Sequence, residues 1–305
     1  WIDLTTGQFF VEKIDLSLPN SLATTLERIS PRELIMPEKL GINKPLIFKE
    51  CISIQSDIIF DSKICEERIK QFFNLSNLDS LGYFDRSDIS ASGAILAYIN
   101  LTQKGKKPLI KSLSKWTKNN ILEIDIATRR SLELVKTQTG EKSGSLFHCI
   151  NKTITAGGSR LLLERLNAPL INKNLIEERL DTVSKLLNFP NELNNLRGLL
   201  RVMPDIQRSL ARLKLQRGGP RDLSSIRDSC LIANKIHSLL NIEQLRKHSG
   251  EIQNNFSKLK MDMSFYELLN KAIADNPPLM ARDGNFIKQG FSQELDVFKS
   301  LRDKS

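Results

Sequence analysis

The string Gly140-Glu-Lys-Ser143 is the segment that comes nearest to a phosphate-binding loop. A loop of that type has the pattern G-x-x-x-x-G-K-S/T, in which Gly stands directly before Lys so that consecutive backbone amides can surround a phosphate. Here Glu141 separates the two residues, and we expect the surroundings to be helical. We therefore predict that no residue of this chain binds a nucleotide cofactor.

A second candidate for chemistry is the adjacent pair His148 and Cys149, because an imidazole can activate a neighbouring thiol as a nucleophile. Phe147 and Ile150 flank the pair, and this apolar setting favours packing within a helix. No pair of carboxylates stands out for general acid–base work. We predict no catalytic residue in this chain.

Metal ligation and disulfide bonding are both disfavoured by the number and spacing of cysteine and histidine. Zinc sites need closely spaced pairs of ligands, and disulfide frameworks belong to small, cysteine-dense secreted chains. We predict reduced structural thiols, no metal site and a cytoplasmic location. The residues concerned are Cys51, Cys65, Cys149, Cys230, His148, His237 and His248.

The net charge of +10 is unevenly distributed. Residues 1–104 hold 11 Lys and Arg against 14 Asp and Glu, whereas the remaining residues hold 34 against 21. A basic C-terminal two-thirds is compatible with a polyanion as partner. A solvated helical surface rich in Arg and Lys explains the same composition, so charge alone does not decide between the two.

The chain has 305 residues, of which 40% are apolar, and this suits two domains with packed interiors. No run approaches the roughly 18 consecutive apolar residues of a membrane span, so we predict no membrane partner. The first residue is Trp1 rather than Met, and a strand-like run follows directly. We expect a piece of a longer chain whose start is missing.

Residues 1–104 alternate short β-branched runs with helical periodicity, which predicts part of an α/β sheet. Trp1–Leu4 and Gln8–Ile14 predict two strands around a turn at Thr5-Thr6-Gly7. We predict a short helix that Asn20 or Ser21 caps and that runs through Ile29, followed by a strand at Glu33–Met36. Two further helices are predicted, one at Ser87–Leu101 and one after Asp61 with Ile64, Ile69, Phe72 and Phe73 on roughly one side.

The composition changes at Thr102–Pro108, where Gly, Pro and three lysines predict a hydrated linker. Beyond it the 3.6-residue period dominates and predicts an all-α assembly. Asn174 and Glu177 resemble a capping box. The stripe that follows consists of Ile176, Leu180, Val183 and Leu187, and we expect it to face a core.

The string Gly218-Gly219-Pro220 predicts the end of one helix and the start of the next. We expect a glycine in the left-handed conformation after the first helix and Pro220 at the first position of the second. The second helix has an apolar stripe, and a later helix ends before Pro277-Pro278. The stripe consists of Leu223, Ile226, Cys230, Ala233, Ile236 and Leu240, and the later helix contains Phe265, Leu268, Leu269, Ala272 and Ile273.

Five segments are similar to signature segments of MutS-type DNA mismatch repair proteins, and they occur in the family's order. Asp3–Phe9 (DLTTGQF) resembles the hairpin of the connector domain. Three segments resemble the lever or core domain: Leu122–Leu134 (LEIDIATRRSLEL), Thr155–Leu170 (TAGGSRLLLERLNAPL) and Asp205–Leu223 (DIQRSLARLKLQRGGPRDL). Ala274–Arg302, with ADNPPL and FIKQGFSQELDVFKSLR, resembles the turn into the clamp domain.

The resemblance implies a mainly α fold. It places the C-terminal part of an α/β, RNase H-like connector domain at residues 1–104, the first part of the helical lever/core domain at 105–283 and the start of the clamp domain at 284–305. The family acts as a ring-like dimer on double-stranded DNA with mismatches. Its ABC-type ATPase domain uses ATP and Mg²⁺. ATP binding converts the mismatch-bound state into a sliding clamp, and this clamp recruits MutL. The resemblance assigns neither ATP nor Mg²⁺ to this chain.

The family's mismatch reader is a Phe-x-Glu motif in a domain that precedes the connector. Three strings match that pattern: Phe10-Val-Glu12, Phe48-Lys-Glu50 and Phe265-Tyr-Glu267. None precedes the connector-like segment, so we assign none of them as the reader, and the residues that contact DNA stay unknown.

Six of the arginines in the family-like segments are interpreted either as phosphate contacts or as partners of helix caps and ion pairs. We favour the second interpretation, because residues such as Asp205 and Arg208 can pair locally. The arginines are Arg129, Arg130, Arg160, Arg208, Arg212 and Arg221.

Two other hypotheses remain open. One is a MutS-like paralogue that acts in recombination or in translation quality control. The other is a helical scaffold without a nucleic-acid role, whose basic charge belongs only to its surface.

Overall fold

The computed structural model describes residues 1–18, 20–43, 50–116, 120–241 and 250–303. The contacts divide the chain into two compact units, residues 1–152 with 160–172, and residues 153–159 with 173–305. The predicted mainly α fold with a small α/β part is confirmed. Within the described residues, no helix combines the length and the apolar character that crossing a membrane requires.

Among the residues that the structure describes, the strands all lie in the first unit and most of the helical residues lie in the second. The strands are β1 (Ile2–Asp3), β2 (Gln8–Val11), β3 (Leu34–Pro37), β4 (Ile52–Gln55) and β5 (Ser114–Lys115). The first six of the described helices are α1 (Ser21–Ile29), α2 (Ser62–Phe73), α3 (Arg86–Thr102), α4 (Ile126–Ser131), α5 (Leu146–Ile150) and α6 (Ala156–Asn167). The later helices are α7 (Lys173–Leu187), α8 (Pro190–Arg201), α9 (Ile206–Lys214), α10 (Pro220–Leu239), α11 (Gly250–Leu259), α12 (Met263–Ala272) and α13 (Gln293–Asp303).

The predicted N-terminal hairpin is confirmed. β1 pairs antiparallel with β2, with Ile2 opposite Phe9. Gly7 in the turn has a φ of +69°, and a Cβ there would lie 2.5 Å from the Leu109 carbonyl oxygen. Glycine is therefore needed at this position both for its backbone conformation and for the close approach of the neighbouring chain.

The segment after the predicted linker returns to this sheet. β5 pairs parallel with β2, and Lys111 N–H donates to the Gly7 carbonyl at 2.7 Å. The sequence pattern missed this strand, because it has two residues and its pairing partner lies about a hundred residues earlier. The domain boundaries at residues 104 and 283 stay predictions, since the two compact units describe contacts rather than sequence domains.

The core of the first unit lies between β2, α2 and α3. Phe9, Ile69, Leu96 and Leu113 are at most 3% exposed and pack together. α2 and α3 begin where Asp61 and Asp85 accept backbone N–H groups, so the predicted start of α2 at Asp61 is confirmed. The residues predicted to share one side of α2 differ in burial, since Ile69 is fully buried and Ile64 is 44% exposed.

β3 and β4 form a separate parallel pair with Leu34 opposite Ile52. The strand predicted at Glu33–Met36 is confirmed with a shift of one residue. α1 begins at Ser21 as predicted, but the side chain of the preceding Asn20 makes no capping hydrogen bond. Asn20 has a φ of 59°, a left-handed conformation that asparagine tolerates better than most residues.

α10 is the central helix of the second unit, and its predicted apolar stripe is confirmed. Ile226 and Cys230 pack against Leu269, Ala272 and Ile273 of the α12 region. α12 itself ends at Ala272, before Pro277-Pro278 as predicted. Two of its predicted apolar positions, Phe265 and Leu268, are about half exposed rather than buried.

α7 contradicts two predictions. The helix begins at Lys173, so Asn174 lies inside its first turn and cannot cap it. Its apolar stripe is not buried: Leu180 is 60% exposed and Leu187 65%. Partly buried positions such as Arg179 and Thr182 lie on another side of the helix. Periodicity identifies an apolar face, whereas burial needs a neighbouring element on that face.

The junction between α9 and α10 differs from its prediction in one respect. The left-handed residue after α9 is Gln216, with a φ of 55°, rather than a glycine. Gly218 and Gly219 are needed for a different reason, which is space. A Cβ on Gly218 would lie 2.7 Å from Leu213 Cδ2, and a Cβ on Gly219 would lie 2.6 Å from the Leu279 carbonyl oxygen.

A polar cluster closes the same junction. Pro220 occupies the first turn of α10 as predicted, and the Asp222 carboxylate accepts the Gly219 N–H at 3.0 Å. The Arg212 guanidinium donates to the same carboxylate through Nε at 2.9 Å and also through Nη2. Burial raises the pKa of Asp222, but the hydrogen bonds from Arg212 and Gly219 outweigh it and hold that pKa below its ordinary 3.8.

We expect Gly219→Ala to lower the free energy of unfolding by about 1–3 kcal/mol, because the added methyl group collides with the Leu279 carbonyl. Gly198→Ala is the matched control, since a Cβ at Gly198 on α8 would meet no atom within 4 Å. It should raise the free energy of unfolding by roughly 0.5–1 kcal/mol, because alanine favours helix. Urea unfolding followed by circular dichroism measures both, and equal effects of the two variants would contradict the packing argument.

We expect Asp222→Asn to lower the free energy of unfolding by about 1–2 kcal/mol at neutral pH, because it removes the charge-assisted bonds from Arg212. Because the pKa of Asp222 is lower in the folded state than its ordinary 3.8, the ionised carboxylate stabilises the fold at pH values above 3.8. This contribution disappears as the pH falls through the folded-state pKa. The difference between wild type and variant should therefore shrink steadily below about pH 4. A difference that stays constant from pH 7 to the acid limit of folding would refute this assignment.

Candidate functional site

The loop between α4 and α5 is built from turns and bends, so the expectation of helical surroundings for Gly140–Ser143 was wrong. Gly140 and Gly144 have φ values of +87° and +90°, which suit tight turns. The Gly140 N–H donates to the Thr137 carbonyl at 2.9 Å, and the Glu141 N–H donates to Thr137 Oγ1 at 3.1 Å. Two of the backbone N–H groups that would have to bind a phosphate therefore donate to another residue of the same loop.

His148 and Cys149 lie on α5, but both side chains are exposed, so the predicted packing is wrong. His148 Nδ1 accepts the Gly144 N–H at 3.4 Å. The buried residue here is Ser145, whose Oγ donates to the Lys142 carbonyl at 2.7 Å and accepts the His148 N–H at 3.2 Å. Ser145 therefore caps α5 and folds the loop onto it.

The Phe-x-Glu strings that the structure describes belong to packing. Phe10 lies in β2, with its ring centroid 5.3 Å from that of Trp116. The Glu12 carboxylate, 3% exposed, forms an ion pair with Arg28 of α1. Phe265 lies on α12 and is 48% exposed. Phe48 falls outside the described residues.

Arg28 is the centre of a cluster that the sequence pattern does not predict. Its guanidinium carbon lies 4.9 Å from the centroid of the Trp116 ring and 5.4 Å from that of the Trp1 ring. Cation–π attraction adds to the ion pair with Glu12 and ties α1 to the sheet. The only signal in the sequence was the presence of two tryptophans, and their separation by more than a hundred residues hid the contact.

Arg129 joins two of the family-like segments within the first unit. It is 6% exposed, and its Nε donates to the Ile124 carbonyl at 3.0 Å. Its Nη1 and Nη2 donate to the side chain and main-chain oxygens of Asn167 at 3.2 and 2.5 Å. Burial lowers the pKa of Arg129, and the positive charge of Arg28 adds to the effect. This residue positions the end of α6 and is not open to a phosphate.

Of the other five arginines named in the sequence analysis, three have hydrogen-bond or ion-pair partners that identify their role. Arg212 is held by Asp222 and Ser209, and Arg208 pairs with Asp205 at 3.4 Å. Arg221 Nε donates to the Pro277 carbonyl at 3.2 Å. Arg130 is exposed at the end of α4, and Arg160 lies in α6. For the arginines with partners above, the interpretation as caps and ion pairs agrees with the contacts found.

Arg227 of α10 is a further positioning residue that was not predicted from the sequence. It is 6% exposed, and its Nη1 donates to the Ile273 and Ala274 carbonyls at 3.2 and 3.3 Å. Beside it, Asp275 pairs with Lys288 Nζ at 2.8 Å, and this hydrogen bond lowers the pKa of Asp275. The one sequence signal was an arginine within an apolar stripe.

Arg227 thereby fixes the point at which the chain leaves α12. There Ile273 forms an antiparallel bridge with Ile287, and the Lys288 N–H donates to the Ala272 carbonyl at 2.8 Å. α10, the end of α12 and the segment that leads to α13 are thus one connected piece. Such an arrangement can transmit displacement, but it presents no nucleophile or acid–base pair.

Metal ligands do not cluster in the part of the chain that the structure describes: no group of three His, Cys, Asp or Glu residues there could hold an ion. The four cysteines are free thiols, and burial raises the pKa of both Cys65 and Cys230. These two thiols are packing residues rather than reactive groups.

Comparison with known families gives two adjacent matches. The profile described as MutS domain II matches residues 1–111, and the profile described as MutS domain III matches residues 127–305. The second match alone covers more than half of the chain.

Curated relatives match along the whole chain. The DNA mismatch repair protein MutS of Rhodopseudomonas palustris is 39% identical over 310 residues, which is 100% of this chain and 34% of the relative. Proteins of the same name from a Ruegeria species and from Bartonella quintana are 37% and 36% identical, with the same shares covered. The chain spans about one third of the length of these relatives. Since both family profiles match in order and the alignment with these relatives covers the whole chain, this chain belongs to the MutS family of DNA mismatch repair proteins.

Proposed function

We propose that this chain is part of a mismatch recognition protein, in which its helices couple ATP binding to the grip on mismatched DNA. The observation that supports this most directly is the order of the two family matches, domain II followed by domain III, along a chain whose relatives are named DNA mismatch repair protein. ATP and Mg²⁺ would be bound by residues outside this chain.

The internal ties of each unit support a coupling role. Coupling between distant sites requires elements with discrete arrangements that both ligands can bias. Arg129 connects α4 to the end of α6, and Arg227 connects α10 to the chain after α12. An element tied in this way moves as a body, because breaking the tie would leave buried guanidinium N–H groups without their main-chain acceptors.

The partners in this proposal are double-stranded DNA with mismatches, the repair protein MutL and a second copy of the same protein, all within the cytoplasm. The basic charge beyond residue 104 is consistent with a polyanion nearby. The exposed apolar stripe of α7 is consistent with burial against further protein.

The two alternatives are less well supported. A paralogue in recombination or translation quality control would still carry the family's core, but identities of 36–39% over the whole chain fall on relatives named for mismatch repair. A helical scaffold without a nucleic-acid role would not explain why both family matches occur in order.

We expect the full-length protein that contains this chain to bind a duplex with one mispair at least tenfold more tightly than the matched homoduplex, a difference of about 1.4 kcal/mol. Electrophoretic mobility shifts with both duplexes at one salt concentration measure the ratio. Equal affinity for the two duplexes would contradict a role in mismatch recognition and would favour a paralogue.

We also expect the purified 305-residue chain to release no phosphate from ATP above background, because the amides around Gly140 are committed to Thr137 and the string lacks the phosphate-loop pattern. The full-length protein under identical conditions is the positive control. Turnover that co-elutes with the purified chain in gel filtration would show that this assignment is wrong.

A further inference from the structure

One stretch of the first unit is strongly basic in a way that the family comparison leaves unexplained. Between residues 89 and 122 the sequence has six lysines and neither Asp nor Glu. Four of them lie close together between the end of α3 and β5: Lys104, Lys106, Lys107 and Lys111. We call these four residues the lysine segment.

The backbone of this segment is held in place. Lys104 and Gly105 take left-handed conformations, with φ values of 53° and +76°, and turn the chain at the end of α3. The Gly105 N–H donates to the Asn100 carbonyl at 2.8 Å, and the Lys111 N–H donates to the Gly7 carbonyl at 2.7 Å. The four side chains therefore extend from an anchored backbone, and three of them are exposed while Lys106 is half-buried.

In the described part of the chain, two lysines near the lysine segment, unlike the four in it, pair with carboxylates. Lys115 lies 3.4 Å from Asp88, and Lys13 lies 3.0 Å from Asp85. For the lysine segment, no ion pair is found among the residues that the structure describes. Lys107 has one aromatic contact, with its Nζ 5.8 Å from the centroid of the Phe72 ring, and this restricts the side chain without neutralising it.

Two structural explanations account for only part of this charge. Cations stabilise the carbonyl end of a helix, but the effect falls off within the last turn, so it suits Lys104 after α3 and not Lys111. Lysines on an edge strand hinder edge-to-edge pairing, which suits Lys111 beside β5 and not the residues of the turn. Neither explanation accounts for all four charges of the lysine segment.

We propose that the lysine segment contacts the phosphate backbone of double-stranded DNA. The inference rests on the proposed function, in which DNA is the polyanion that the protein binds. It adds a surface of the first unit to the residues that contact DNA. Lysine ammonium groups on an anchored backbone neutralise phosphates without reading base edges. The contact would therefore add affinity for any duplex and would not discriminate mismatches.

The test is a fluorescence anisotropy titration of the 305-residue chain with a labelled homoduplex over a range of salt concentrations. The variant replaces the four lysines of the segment by glutamine. Each phosphate that the variant no longer neutralises should reduce the slope of log K against log salt by about 0.9, so two such phosphates reduce it by about 2. At the lowest salt concentration the affinity should fall at least tenfold.

The matched control replaces four exposed lysines of the second unit by glutamine: Lys214, Lys258, Lys260 and Lys271. Both variants change the net charge from +10 to +6, so a difference between them reports position and not total charge. The control should keep the salt slope of the wild-type chain. Circular dichroism of both variants verifies that the fold is retained.

Equal slopes for the two variants would overturn the inference, as would failure of the wild-type chain to bind duplex at low salt. Binding of polyglutamate in place of duplex, with the same dependence on the lysine segment, would assign the surface to an acidic protein and would also overturn it. A failure here leaves the proposed function standing, because mismatch discrimination is measured separately on the full-length protein.

Discussion

Two buried arginines that donate to main-chain carbonyls are the interactions on which much of this structure depends. Arg129 reaches Asn167, 38 residues further on, and Arg227 reaches Ile273, 46 residues further on. A guanidinium removed from water must have its donors satisfied, because an unsatisfied buried charge costs several kcal/mol. Each arginine therefore demands one arrangement of the helices that carry its acceptors.

The consequence of these ties is local rigidity at the helix ends. Arg129 donates to Asn167, the last residue of α6, and Arg227 donates to Ala274, just after α12. Ile273 and Ile287 also pair at the second of these places. Helix ends are otherwise the least constrained parts of an all-α assembly, since their last carbonyls have no partner within the helix. A protein that transmits displacement along helices needs firm ends, and this is the physical link between the contacts of this chain and the coupling role proposed for it.

The exposed stripe of α7 shows what periodicity leaves open. Ile176, Leu180, Val183 and Leu187 recur at helical spacing, and the helix forms where that spacing places it. The side chains nevertheless face outward. An apolar face lowers the free energy only when something covers it, and helical spacing contains no information about a neighbour.

The sequence by itself determined the fold class, the family resemblance, the N-terminal hairpin and the start and stripe of α10, because each of these follows from local spacing or from short signature segments. Only the tertiary structure decided which polar groups meet. It placed β5 beside β2, assigned the left-handed position to Gln216 instead of a glycine, and set Arg28 against two tryptophans. These contacts join residues far apart in the chain, and their energy depends on burial and on distances that no local pattern encodes.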